Sequence, residues 1–198
     1  METKRGRFSI GQHQGLVHGV LTERLVICEA NRQHALALQN YCVANRAHFQ
    51  PWEPLRQSAF YTLTSTTNRL EMMEQRTTAQ SALYLLLFMK EGGQLVGDCN
   101  FTNIVRGSFQ ACHLGFSLDR QFEGQGLMRE CLSTVIPHMF ETQGLHRIMA
   151  AYRPENARSA KLLDALGFER EGIARSYLKI NGAWADHVLT SLVNPKEL

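Results

Sequence analysis

Leu118-Asp-Arg-Gln121-Phe-Glu-Gly124-Gln-Gly126-Leu127 is the stretch on which the reading of this chain turns. An apolar strand pattern ends at Leu118, two glycines follow, and a helical pattern begins at Gly126. Glycines let the main chain curl so that several N–H groups point at one anion, and a helix N-terminus adds about half a positive charge. A pyrophosphate is the natural guest of such a bend. The same two glycines also suit a plain strand–helix turn. The stretch is neither a Walker loop, since G-K-[ST] is missing, nor a full G-x-G-x-x-G.

Upstream of the bend, Ala82–Met89, Leu95–Asn103 and Phe109–Leu118 are apolar runs. Turns at Glu91-Gly-Gly-Gln94 and Arg106-Gly-Ser108 separate them, which predicts three consecutive strands of a meander. Downstream, Leu127, Cys131, Val135 and Met139 recur four apart over Gly126–Glu141, a helical period in which Pro137 predicts a kink or an early end. His146–Tyr152 then reads as a strand and Asn156–Ala165 as a helix closed by Leu166-Gly-Phe168. Ser176–Ile180 and Trp184–Leu192 flank Asn181-Gly182, a strong hairpin signal.

Before the meander, Thr22–Glu29 reads as a first strand and Asn31–Asn45 as a helix with Ala35, Leu38, Cys42 and Val43 on its apolar side. Phe49-Gln-Pro-Trp-Glu-Pro54 is irregular, because proline restricts the residue before it. Thr64–Thr77 reads as a mostly exposed helix. The order β-α-α-β-β-β-α-β-α-β-β predicts an α+β fold with one mixed central β-sheet flanked by helices. A polar arm, 1–20, precedes a single domain, 21–198.

Composition narrows the classes. The chain has 198 residues, 44% hydrophobic and 20% charged, enough apolar side chain for a real core. A formal charge of +3 is too mild to predict direct nucleic-acid readout. No apolar run approaches the ~20 residues of a membrane span, and Met1–Val20 lacks the apolar centre of a signal peptide, so no membrane partner is expected. The five cysteines form no C-x-x-C pair and fit a reducing cytosol. The eight histidines show no H-x-x-x-H spacing, so no metal is expected.

Gln121-x-x-Gly124-x-Gly126, between a strand and an amphipathic helix, resembles the acetyl-coenzyme A loop of the GNAT acetyltransferases. Asn156 and Leu166-Gly-Phe168 resemble that family's N…L-G-F segment, and the likeness runs from Thr22 to Leu192. Thr22-Glu-Arg-Leu-Val26, Pro51-Trp-Glu-Pro54, Val105-Arg-Gly-Ser-Phe109 and Asn181-Gly-Ala-Trp-Ala-Asp-His-Val188 resemble the Rim branch, bacterial enzymes that acetylate N-terminal α-amines of ribosomal proteins. The resemblance implies a GNAT-like fold, acetyl-coenzyme A as the acetyl donor, and the N-terminal alanine of a small-subunit ribosomal protein as acceptor. It implies direct transfer in a ternary complex within the cytoplasm. A monomer and a homodimer stay equally open.

The resemblance also assigns roles. Main-chain N–H groups near Phe116 and Leu118 would meet the pantetheine and polarise the thioester carbonyl. Gln121, Gly124, Gln125, Gly126 and Leu127 would cradle the diphosphate, with Glu123 turned away and Arg129, Arg158 or Lys161 free to meet the ribose phosphate. Asn156 would hold the cofactor arm, or cap its helix. Many GNAT enzymes carry a tyrosine acid seven residues after that asparagine; here Leu163 stands there, and the resemblance points to Ser159 as the replacement, or as a first-turn capping residue, with Tyr152 and Tyr177 behind it.

A free α-amine, at pKa about 7.7–8.0, is partly neutral at cytosolic pH and asks little of a base. Glu53 and Glu171 are the carboxylates open to that role. Trp52, Glu53 and Tyr177 would border the acceptor groove, or Trp52 would anchor its loop in the core. A small amine acceptor, and a non-catalytic acyl-coenzyme A sensor or ribosome assembly factor, are the competing readings.

Overall fold

The computed structural model describes residues 19–197. The expected arm, 1–20, falls outside these except for Gly19 and Val20, which open a short strand β1 (Gly19–Leu21). The chain continues through β2 (Leu25–Glu29), α1 (Ala35–Ala44), α2 (Arg46–Phe49), α3 (Leu63–Thr78), β3 (Leu83–Met89), β4 (Leu95–Val105) and β5 (Ala111–Leu118). Then come α4 (Leu127–Glu141), β6 (Arg147–Tyr152), α5 (Ala157–Ala165), β7 (Glu169–Ile180) and β8 (Ala183–Val193). The strands form one sheet in the order β1-β2-β3-β4-β5-β6-β8-β7. Among the described residues only β5 and β6 run parallel, joined across α4.

The unbroken apolar run in β3 belongs to a strand covered on both faces. Leu83, Leu85 and Leu87 pack with α4 residues such as Leu132 and Val135, while Tyr84, Leu86 and Phe88 pack with Leu38, Tyr41 and Leu70 of α1 and α3. Side chains alternate along a strand, so a strand between two helical layers must be apolar at every position.

Asn31 starts the first helical segment with a capping box closed by His34. Two details differ from the sequence reading. Tyr41, not Val43, is buried beside Ala35 and Leu38 in α1; Val43 is 52% exposed. Helix α4 runs through Pro137 to Glu141 without an early end. Pro137 removes one helical hydrogen bond, but Ile136, Met139 and Phe140 around it are buried, and their packing outweighs that loss.

Candidate active site

Strand β5 pairs with β4 as far as Leu118 opposite Gly97, but with β6 only from Ala111 to Leu114. Beyond Ala150, β6 stays with β8 to Tyr152. A wedge therefore opens in the sheet between Gly115–Leu118 and the end of β6. The Asp119 N–H donates to the Val96 carbonyl at 2.7 Å, which fixes the direction of the amides before it. Amide direction alternates along a strand, so Ser117 faces β4 while the N–H groups of Phe116 and Leu118 face the wedge.

The glycine loop lies at the mouth of this wedge. The Asp119 carboxylate caps a single 3-10 turn, accepting from the Gln121 N–H at 2.8 Å. Asn45, at the end of α1, donates to Asp119 at 2.9 Å and accepts from the Arg120 N–H at 3.1 Å. Gly124 and Gly126 have φ of +73° and +79°, a region that strains any residue with a Cβ. A Cβ built on Gly124 meets nothing within 4 Å, so the cradle is open. Gly126 is the N-cap of α4 and has no side chain to satisfy the first-turn N–H groups. Leu127 is buried and anchors that turn in the core.

A strap from β2 holds the loop. The Arg24 guanidinium donates to Glu130 at 2.8 Å and to the Gln125 carbonyl at 2.8 Å. Thr22 and the Arg24 N–H also donate to Glu130, at 2.5 and 2.8 Å. Burial pushes the Glu130 carboxyl up, but these hydrogen bonds prevail and hold it below its usual range. The Gln125 side chain donates to the Gln121 carbonyl at 3.0 Å. Glu123 is bound by His48 at 3.1 Å and Arg158 at 2.8 Å, which also engages one of the cations expected near the ribose phosphate.

The family described as an acetyltransferase (GNAT) domain matches residues 24–169. The chain belongs to that family. Over 174 residues this GNAT enzyme is 44% identical to the ribosomal protein uS5-alanine N-acetyltransferase of Escherichia coli, across 88% of this chain and 90% of that one. It also resembles a solved ribosomal-protein-S5-alanine acetyltransferase from Vibrio fischeri, at a TM-score of 0.86 and 41% identity over 89% of this chain and 97% of that one. Mycobacterium smegmatis RimJ, solved in complex with CoA-disulfide, gives 0.82 and 26% over 88% and 83%.

In this N-acetyltransferase Asn156 caps α5, its side-chain oxygen accepting from the Ser159 N–H at 3.1 Å. Ser159 is half-buried in the first turn of α5. Leu163 lies in the main core, and Tyr152 packs against that core from β6. Glu171 binds Arg147 and Ser191 and is held below its usual range by Arg147, so it braces β6, β7 and β8 and is not a free base.

The other side of the mouth is built from Gln50–Arg56. The Glu53 carbonyl accepts from the Asn181 N–H at 2.8 Å, and the Gln50 side-chain amide donates to the Asn181 side chain at 3.2 Å. The tip of the β7–β8 hairpin thus docks on the proline loop. Arg153 donates to the Pro51 carbonyl at 2.9 Å and lies over the Trp52 ring at 5.8 Å. Burial pushes the Glu53 carboxyl up, with Arg56 at 3.6 Å opposing. Tyr177 sits on the hairpin against His187, ring centroids 5.7 Å apart.

Sequence reasoning missed Asp98 of β4. It accepts from Ser117 at 2.5 Å and from Asn100 at 2.6 Å, and the Tyr41 hydroxyl is 2.7 Å from Ser117. A carboxylate amid the apolar run Leu95-Val-Gly-Asp98-Cys99 was the available signal, since aspartate is depleted in strands.

Proposed function

We propose that this enzyme transfers the acetyl group of acetyl-coenzyme A to the N-terminal α-amine of a ribosomal protein, an alanine, by direct transfer in a ternary complex in the bacterial cytosol. One observation carries the reading: the wedge between β5 and β6 opens onto the Gly124–Gly126 loop, whose two glycines hold left-handed backbone. The residues fit the donor. The loop and the α4 N-terminus present main-chain N–H groups to a diphosphate, through Gln121, Gly124, Gln125, Gly126 and Leu127. Phe116 and Leu118 offer N–H groups to the pantetheine, and one of them to the thioester oxygen as negative charge develops there. Asn156 keeps its amide N–H groups for the cofactor arm while its oxygen caps α5.

The donor supplies an activated thioester carbonyl; the chain supplies position and proton management. Ser159, one turn into α5, gives the departing thiolate its proton. Burial pushes Cys42 up to about 11 and Cys28 and Cys112 up to about 12, so none of these thiols is a nucleophile at neutral pH. That supports transfer without an acyl-enzyme. The groove bordered by Trp52, Glu53 and Tyr177 takes the acceptor.

The uS5-alanine relatives at 44% and 41% identity support the acceptor. The test is mass spectrometry of peptides that begin with alanine, with free or blocked amines, after incubation with acetyl-coenzyme A. Acetylation of the free α-amine alone is expected. Acetylation only of small amines, or tight cofactor binding without turnover, overturns the acceptor assignment.

A further inference from the structure

Resting on the acceptor reading above, we propose that Asp98 is the general base that takes the proton from the incoming α-ammonium. Asp98 stands directly opposite Ser117, and Ser117 lies between Phe116 and Leu118, whose N–H groups face the wedge. The carboxyl is therefore one strand spacing from the strand that would present the thioester. It points to the α1–α3 side of the sheet with Tyr41, the side on which the Gln50–Arg56 loop borders the mouth; the phosphate loop leads into α4, which packs on the opposite face.

The carboxyl is also oriented. Ser117 uses its one proton on an Asp98 oxygen, so Tyr41 is the donor to Ser117, and Asn100 holds the second oxygen. Each oxygen retains a lone pair. Asp98 is crowded by protein atoms yet keeps part of its surface open.

Its acid strength suits the task. Burial first, then the Glu53 carboxylate, push Asp98 up to about 6, while Ser117, Asn100 and the Arg69 guanidinium of α3 pull it down. Tyr41 and Cys42 of α1 complete the titratable groups facing it, and Tyr84 of β3 lies one pair along, held by Arg76. An ordinary aspartate would be about ten-thousandfold too acidic to deprotonate an α-ammonium of pKa about 8, whereas Asp98 is within about a hundredfold. At neutral pH it is still mostly ionised and ready to accept.

The step balances. The ammonium gives one proton to the Asp98 carboxylate, and the neutral amine forms the C–N bond as the C–S bond breaks. The second amine proton goes to the leaving thiolate through Ser159, and Asp98 returns its proton to solvent.

The test is kcat/KM against pH on an alanine-initiated peptide for wild type, Asp98→Asn and Ser117→Ala, with acetyl-coenzyme A binding followed by calorimetry. The wild-type rate should rise through about pH 6. In Asp98→Asn the rise should move to the amine's own value, about 8, with a roughly tenfold loss at pH 7, because roughly a tenth of the free amine is neutral there. Ser117→Ala should keep the limb but shift it upward, since the hydroxyl favours the ionised carboxylate. Acetyl-coenzyme A affinity should hold in both. An unchanged limb in Asp98→Asn, or loss of acetyl-coenzyme A binding by that variant, overturns this inference alone. A wild-type enzyme that acetylates no α-amine peptide overturns the acceptor assignment and this inference together.

Discussion

Replacing Gly124 by alanine separates the backbone requirement for glycine from the role of the loop in binding. Gly124 has φ +73° with nothing within 4 Å of an added Cβ, and Gly107, in the turn between β4 and β5, has φ +76° with nothing within 4 Å. The two substitutions therefore carry the same cost, left-handed backbone strain of about 1–2 kcal/mol, and neither adds a clash in the free protein. For a domain of this size that is a Tm decrease of about 2–8 °C in each. Only at Gly124 does the methyl enter space assigned to the diphosphate. Displacing one oxygen from one N–H loses a charge-assisted hydrogen bond worth about 1.5–3 kcal/mol, or roughly 10–150-fold in Kd. Thermal unfolding and calorimetric titration with acetyl-coenzyme A read the two effects separately. Equal loss of stability with unchanged affinity in Gly124→Ala refutes the cradle.

Three further outcomes are expected. Ser159→Ala should lower kcat by about 10²-fold or more while acetyl-coenzyme A affinity stays constant, as general acid catalysis typically contributes at least that much; a kcat within twofold of wild type removes the acid role. Arg24→Ala should cost about 1–2 kcal/mol of stability by losing the guanidinium's charged hydrogen bonds, one to Glu130 and one to the Gln125 carbonyl, and weaken acetyl-coenzyme A binding severalfold by freeing that carbonyl; denaturant unfolding and calorimetry would show it. Asp98 binds its proton more tightly folded than unfolded, so its contribution to stability falls as pH rises from about 3.8 through about 6. Wild type should therefore lose on the order of 2 kcal/mol relative to Asp98→Asn across that window, and parallel urea-unfolding curves for the two proteins would contradict the shift.

Most elements were legible because their signals are local. The hairpin at Asn181-Gly182 needs positive φ at both residues, and both have it, +44° and +86°. The strand–glycine–helix order around Gly124 is likewise visible in ten residues. Longer strands were not. β7 begins at Glu169, well before Ser176, because irregular pairing between Arg170 and Gly172 and between Ala174 and Leu178 breaks its alternation. Strand β1 was missed because three residues carry too little pattern.

By itself the sequence determined an α+β sheet with a glycine bend and a helix beginning at Asn156, since periodicity and turn chemistry act over a few neighbouring residues. Tertiary structure alone decided that β5 and β6 part after Leu114, that Arg24 reaches Glu130 and Gln125 across some hundred residues, and that Asp98 meets Ser117 and Tyr41. The register of strands far apart in the chain sets those contacts, and burial then raises the Asp98 carboxyl to a strength no isolated aspartate has.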